Sequence, residues 1–171
     1  PLPIDTLSDL LFYSAGLREN KPPWSANRFY PSPGARYPLE LYIISQHTDL
    51  PNGLYHYNLR LHALEVLSYF KRFNTSTCFD QEWIPKASCI VILTGVFERT
   101  KMKYMERGYR HVLMEAGYLG QNIYLLSAAL NLACCGIGGY VDNELNKLLD
   151  IDGIEETVIS VSAVGIREKK I

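Results

Sequence analysis

The sequence predicts an α+β domain in which a covered, mixed and largely antiparallel sheet is flanked by helices, one of them long and central. Three observations carry this. Strand-like segments cluster between residues 39 and 93, one run of helical periodicity occupies about 106–134, and a short helix followed by a β-branched strand closes the chain. At 171 residues and 47% hydrophobic, the chain can bury one sizeable core, and 1–171 reads as one domain.

Asp5 or Thr6 is positioned to cap a first helix in which Leu7, Leu10, Leu11 and Ser14 share a face, with Gly16 as its stop. Residues 17–38 hold five of the nine prolines together with Trp24, Phe29, Tyr30 and Tyr37, which predicts a long aromatic loop. Leu39 to Ser45 reads as a strand. The turn Pro51-Asn52-Gly53 leads to Leu54–Tyr57, and a turn near Asn58 leads to His62–Val66, completing an antiparallel meander. Residues 67–87 carry only weak helix and loop signals. The uninterrupted run Cys89–Leu93 has the mark of a strand covered on both faces. From Glu106 to Cys134, apolar residues recur at three- and four-residue steps, although Gly117 and Gly120 could divide the helix. Asp142 is placed to cap a helix bearing Leu145, Leu148 and Leu149, Gly153 ends the connection, and Thr157–Val164 is the last strand.

Composition excludes several functions. With 17 basic and 18 acidic residues dispersed along the chain, there is no electrostatic footprint for nucleic acid or an anionic membrane. No apolar run approaches a membrane span, and residues 1–20 lack the basic start and apolar middle of a signal peptide. Cys78, Cys89, Cys134 and Cys135 fit neither a disulfide framework nor a zinc site, and Cys134 and Cys135 are read as buried, inert thiols on the long helix. The four histidines share no ligand spacing, so no metal is expected. A reducing, cytoplasmic setting is the simplest reading.

Gly136-Ile137-Gly138-Gly139 invites a dinucleotide-binding reading, but Val141 stands where the third glycine belongs, and no strand is expected before the turn. Neither a phosphate-binding Gly-x-x-x-x-Gly-Lys-Ser/Thr loop nor a Gly-x-Ser-x-Gly elbow occurs. On spacing alone, a helix C-cap accounts for the cluster. Chemically, three glycines in four residues let main-chain N–H groups approach a flat ligand closely. A second candidate segment is Pro31-Ser32-Pro33-Gly34-Ala35-Arg36-Tyr37-Pro38, where prolines fix the backbone and Ser32 and Gly34 offer a hydroxyl and open amides; a rigid turn feeding a strand accounts for it equally.

Together, Pro31 to Tyr42, Gly53 to Tyr57, Leu93 to Thr100 and Cys135 to Gly139 resemble, in order and over nearly the whole chain, the azoline dehydrogenase branch of the FMN-dependent nitroreductase superfamily. Members of that branch oxidise thiazolines and oxazolines in ribosomal peptides to azoles. The resemblance implies a nitroreductase-like fold, a homodimer with long central helices packed together, FMN sites at the interface, a peptide substrate, and a cyclodehydratase as further partner. It places Pro31, Ser32, Pro33 and Gly34 against the flavin, often that of the partner subunit, and the backbone of Ile137, Gly138 and Gly139 at the N5 and O4 edge. Arg167 and Arg28 are its candidates for the FMN phosphate. Lys103 and Tyr104 occupy the place of the family's catalytic pair. An ammonium beside a phenol stabilises the phenolate, which makes Tyr104 the general base and Lys103 its electrostatic helper.

The chain departs from the pattern at two points. The arginine-rich segment that precedes the first helix in such proteins and binds the phosphate is not seen, because the sequence starts at Pro1. Ala35 stands where many nitroreductases have asparagine, which favours azoline oxidation over NAD(P)H-dependent reduction of nitro or quinone compounds. A flavin-free scaffold relative is the remaining alternative.

Overall fold

The computed structural model describes residues 1–18 and 27–167. Trp24, named in the loop reading, lies outside the described residues. Four helices, α1 (Ile4–Ala15), α2 (Glu98–Tyr104), α3 (Arg107–Ala129) and α4 (Asp142–Leu149), accompany six strands: β1 (Leu39–Ser45), β2 (Gly53–Asn58), β3 (Ala63–Tyr69), β4 (Cys89–Val96), β5 (Leu132–Ile137) and β6 (Glu156–Ile166). The strands form one sheet in the order β3-β2-β1-β4-β6-β5. All five strand pairings are antiparallel, so the sheet is not mixed; the parallel contact among the described residues is an isolated bridge, Leu2 to Thr48.

Alternation along β1 and β4 explains why both are apolar throughout. Leu39, Leu41, Ile43, Cys89, Val91 and Leu93 face a core completed by Leu7, Leu10 and Leu11 of α1 and Val112, Ala116, Leu119 and Ile123 of α3. Tyr42, Ile44, Ile90 and Ile92 face a second core with Leu145 and Leu149 of α4, Phe79 and Ile84. β1 and β4 are thus covered on both faces, as the run at 89–93 predicted, whereas β3 at the edge is largely exposed.

Several boundaries differ from expectation for identifiable reasons. Neither Asp5 nor Thr6 caps α1. The helix begins after Pro3 in extended backbone, and the free N–H of Ile4 donates to Asp49 Oδ2 at 3.2 Å, a cap supplied from a distant turn. Asp142 is likewise the first helical residue of α4 and no side-chain cap; Val141 precedes it. Gly117 and Gly120 do not divide α3. Nor does that helix reach Cys134: Asn131 takes a left-handed φ of 57° and the chain returns as β5, pairing with β6 from Leu132–Ile166 to Ile137–Val161. Cys134 and Cys135 therefore sit on an edge strand, the first half-buried and the second exposed, and are not buried helix thiols. A strand does precede the glycines after all, but it is antiparallel and Val141 stands where a glycine is required, so the dinucleotide fingerprint still fails. Asn122 is a structural amide, donating to the carbonyls of Ser14 and Phe29 at 3.3 Å each and tying α3 to α1. No described helix is long and apolar enough to cross a membrane.

Candidate active site

Lys103 and Tyr104 lie in the last turn of α2, a helix that the sequence did not signal and that stops at Met105, where φ is 52°. Their head groups converge on Gly34. A β-carbon added there would fall 2.5 Å from Tyr104 Oη and 3.1 Å from Lys103 Nζ. Gly34 also has a φ of 65° inside the short turn Pro33–Ala35, so two independent constraints demand glycine. Lys103 Nζ is 5.3 Å from the Tyr104 ring centre, and the His111 ring meets the same phenol ring edge-on at 4.9 Å. Two segments that were singled out separately, residues 31–34 and 103–104, are thereby one cluster in space.

The loop is held from beneath. Ser32 Oγ accepts from the Tyr37 N–H at 2.8 Å and donates to Glu115 Oε2 at 2.6 Å. Arg28 is engaged at the root of this loop, donating to Tyr30 Oη at 2.7 Å and the Leu39 carbonyl at 3.3 Å, with its guanidinium 4.7 Å from the Tyr37 ring centre. Burial pushes the Tyr30 phenol well above its usual range, with Arg28 pulling the other way. Burial likewise pushes the Glu115 carboxyl up to about 7, against the opposing effects of its Ser32 hydrogen bond and Arg28.

The glycines form a second cluster. Ile137 is buried in the second core, so only its backbone can face a ligand. Gly138 and Gly139 lie past the end of β5 and are exposed. Among the described residues, a β-carbon on Gly138 would meet nothing within 4 Å, whereas one on Gly139 would come within 2.8 Å of Gln81 Nε2. Gln81 Oε1 is buried there without a partner, and the Gly136 N–H is taken by the Tyr124 phenol oxygen. Beside β5, a recess of about 600 Å³ is lined by Trp83, Lys86, Cys134, Cys135 and Arg167. Arg167 donates from Nε to the Leu132 carbonyl at 2.9 Å, and among the described residues its terminal nitrogens make no hydrogen bond. Lys86 was not anticipated, and nothing in its local sequence marks it. Gln81 was missed for the same reason.

Among the described residues, no hydrogen bond or ion pair joins the cluster at Gly34 to the one at Gly138. Between them α3 exposes an apolar face of Tyr109, Leu113, Met114, Tyr118, Tyr124 and Leu125.

Comparison with known proteins agrees with this architecture. The model of the nitroreductase family matches residues 2–166. The chain belongs to the nitroreductase family of oxidoreductases. It is 31% identical over 154 residues to the nitroreductase-type protein MJ1384 of Methanocaldococcus jannaschii, covering 88% of this chain and 76% of that one. It is 32% identical over 141 residues to the microcin B17-processing protein McbC of Escherichia coli, covering 76% of this chain and 51% of McbC. The E. coli microcin synthetase McbBCD complex with truncated pro-MccB17 bound contains a chain that superposes with a TM-score of 0.84 at 29% identity, covering 98% of this chain and 65% of that one. The chain thus spans about half the length of McbC.

Proposed function

We propose that this protein is an FMN-dependent dehydrogenase that converts thiazoline or oxazoline rings in a ribosomally made peptide to azoles. The observation that carries the reading is the convergence of Lys103 Nζ and Tyr104 Oη on Gly34, which gives the sequence-derived base and its loop one location. Similarity to McbC and to a chain of a complex that holds a peptide supports a peptide substrate and an assembly with a cyclising partner. Ala35 in the same loop favours this chemistry over nitro or quinone reduction.

The residues present suit FMN. Open backbone at Gly138 admits a flat ring, Gly139 leaves room for the Gln81 side chain whose unpartnered oxygen suits a ring N–H, and Arg167 with Lys86 at the recess suits a phosphate. Arg28, committed to Tyr30, Leu39 and Tyr37, is the weaker phosphate candidate. FMN when bound supplies the acceptor for the hydride that leaves the azoline ring. Tyr104 takes the ring proton, and Lys103 stabilises the phenolate that does so. The two clusters complete one another across a homodimer: residues 31–34, 103 and 104 from one subunit meet Gly138, Gly139 and Arg167 of the other. The exposed apolar face of α3 is of the kind that marks such an interface.

Gly138→Leu tests the flavin placement. Because no described residue occupies the space at Gly138, unfolding free energy is expected to change by no more than about 0.5 kcal/mol. FMN affinity, followed by flavin fluorescence quenching, is expected to fall by at least about tenfold, since a side chain there occupies the ring's place. Unchanged affinity would remove the flavin from this turn.

A further inference from the structure

We propose that Glu115 is a positioning residue that acts through Ser32 to press the Pro31–Tyr37 loop onto the Lys103–Tyr104 pair. This rests on the assignment of Tyr104 as the base. Glu115 is the only Asp, Glu, Lys or Arg that is buried among the described residues, at 1% exposure, and it lies on the inward face of α3 between Val112 and Leu119. A carboxyl in such a position is costly unless it is engaged. Only one of its oxygens is: Oε2 receives the Ser32 hydroxyl, and Oε1 is buried without a partner. What it holds is a backbone that resists its own conformation. Ala35 and Tyr37 have φ values of 51° and 45°, which side-chain-bearing residues rarely adopt, and they follow Gly34 at 65°. Strained residues of this kind persist only where their surroundings fix them. Ser32 does this, bridging the Tyr37 N–H to Glu115 within the same loop that carries Gly34 against Tyr104 Oη.

The groups that face Glu115 are Arg28 and the Tyr30 phenol, from the segment leading into β1, with His111 one turn earlier on α3 beside Tyr104. Glu115 changes charge near pH 7, so the linkage is visible as a pH response at a residue it does not touch.

The full chain without added flavin, with tyrosine carrying 13C at Cζ, provides the test. The Tyr104 resonance is identified by its loss in Tyr104→Phe. In the parent protein it is expected to shift with an inflection near pH 7, and that inflection is expected to vanish in both Glu115→Gln and Ser32→Ala. An inflection that survives both substitutions arises from a group other than Glu115 and overturns the proposal. So does a parent titration without an inflection, or one abolished by Glu115→Gln but retained in Ser32→Ala, because the path would then bypass the loop. In the azoline assay, both Ser32→Ala and Glu115→Ala are expected to lower kcat about tenfold without raising the peptide KM, and the double variant to be no worse than either. Failure of azoline oxidation in the parent protein leaves the resonance test standing and counts against the proposed function alone.

Discussion

Tyr104→Phe is expected to lower the rate of azoline oxidation by about 10²- to 10⁴-fold, the range typical of a lost general base. The ring remains, so its edge contact with His111 and its position over the Lys103 ammonium are kept, and only the oxygen beside Gly34 is removed. FMN affinity and thermal stability should stay at parental values. Single-turnover measurement of peptide conversion separates the outcomes. A loss confined to the chemical step supports Tyr104 as the base, while a rate within threefold of the parent assigns the proton to another group. Lys103→Met should slow the same step while leaving Tyr104 in place, because the phenolate then lacks its neighbouring charge.

Glu115→Gln is expected to make the protein more stable at alkaline pH. The carboxyl's folded-state value of about 7 lies above its ordinary 4.5, so between these limits the folded chain binds more protons than the unfolded one. The contribution of Glu115 to stability is therefore full below about pH 4.5, declines as pH rises, and is lost above about pH 7. The raised value corresponds to roughly 3 kcal/mol. Glutamine keeps an acceptor for the Ser32 hydroxyl and carries no charge to desolvate, so the variant should gain about 1–3 kcal/mol over the parent at pH 8 and lose the slope. Urea unfolding at pH 5, 6.5 and 8 checks this; parallel curves for the two proteins would contradict it.

How much of this was legible depended on whether a segment's partner lay nearby in sequence. The meander β1-β2-β3 announced itself through alternation and the turn at Pro51-Asn52-Gly53, and β4 through its apolar run. β5 did not, because Leu126 and Leu130 carry helical spacing up to its edge, and the strand exists only because β6, some thirty residues later, offers an unpaired side. Tertiary pairing overrode local periodicity there. The glycine turn and the proline-serine loop were visible as backbone features, but their chemistry, like that of Lys103 and Tyr104, came from resemblance. Glu115 had one unread signal. Three residues after Val112 and four before Leu119, it is a charge on the stripe that faces the core. Lys86 and Gln81 had none, since they reach the recess and the glycine turn through short irregular segments whose course no local pattern encodes.

Dehydrogenation of peptide azolines at a flavin can be read directly from the mass of the peptide. Its most direct measurement incubates the FMN-loaded protein, under oxygen, with a peptide bearing thiazoline or oxazoline rings and follows peptide mass. Each converted ring is expected to lose two hydrogens, with oxygen consumed in proportion and no NAD(P)H required. A peptide of unchanged mass, together with rapid NAD(P)H oxidation in the presence of a quinone, would contradict this.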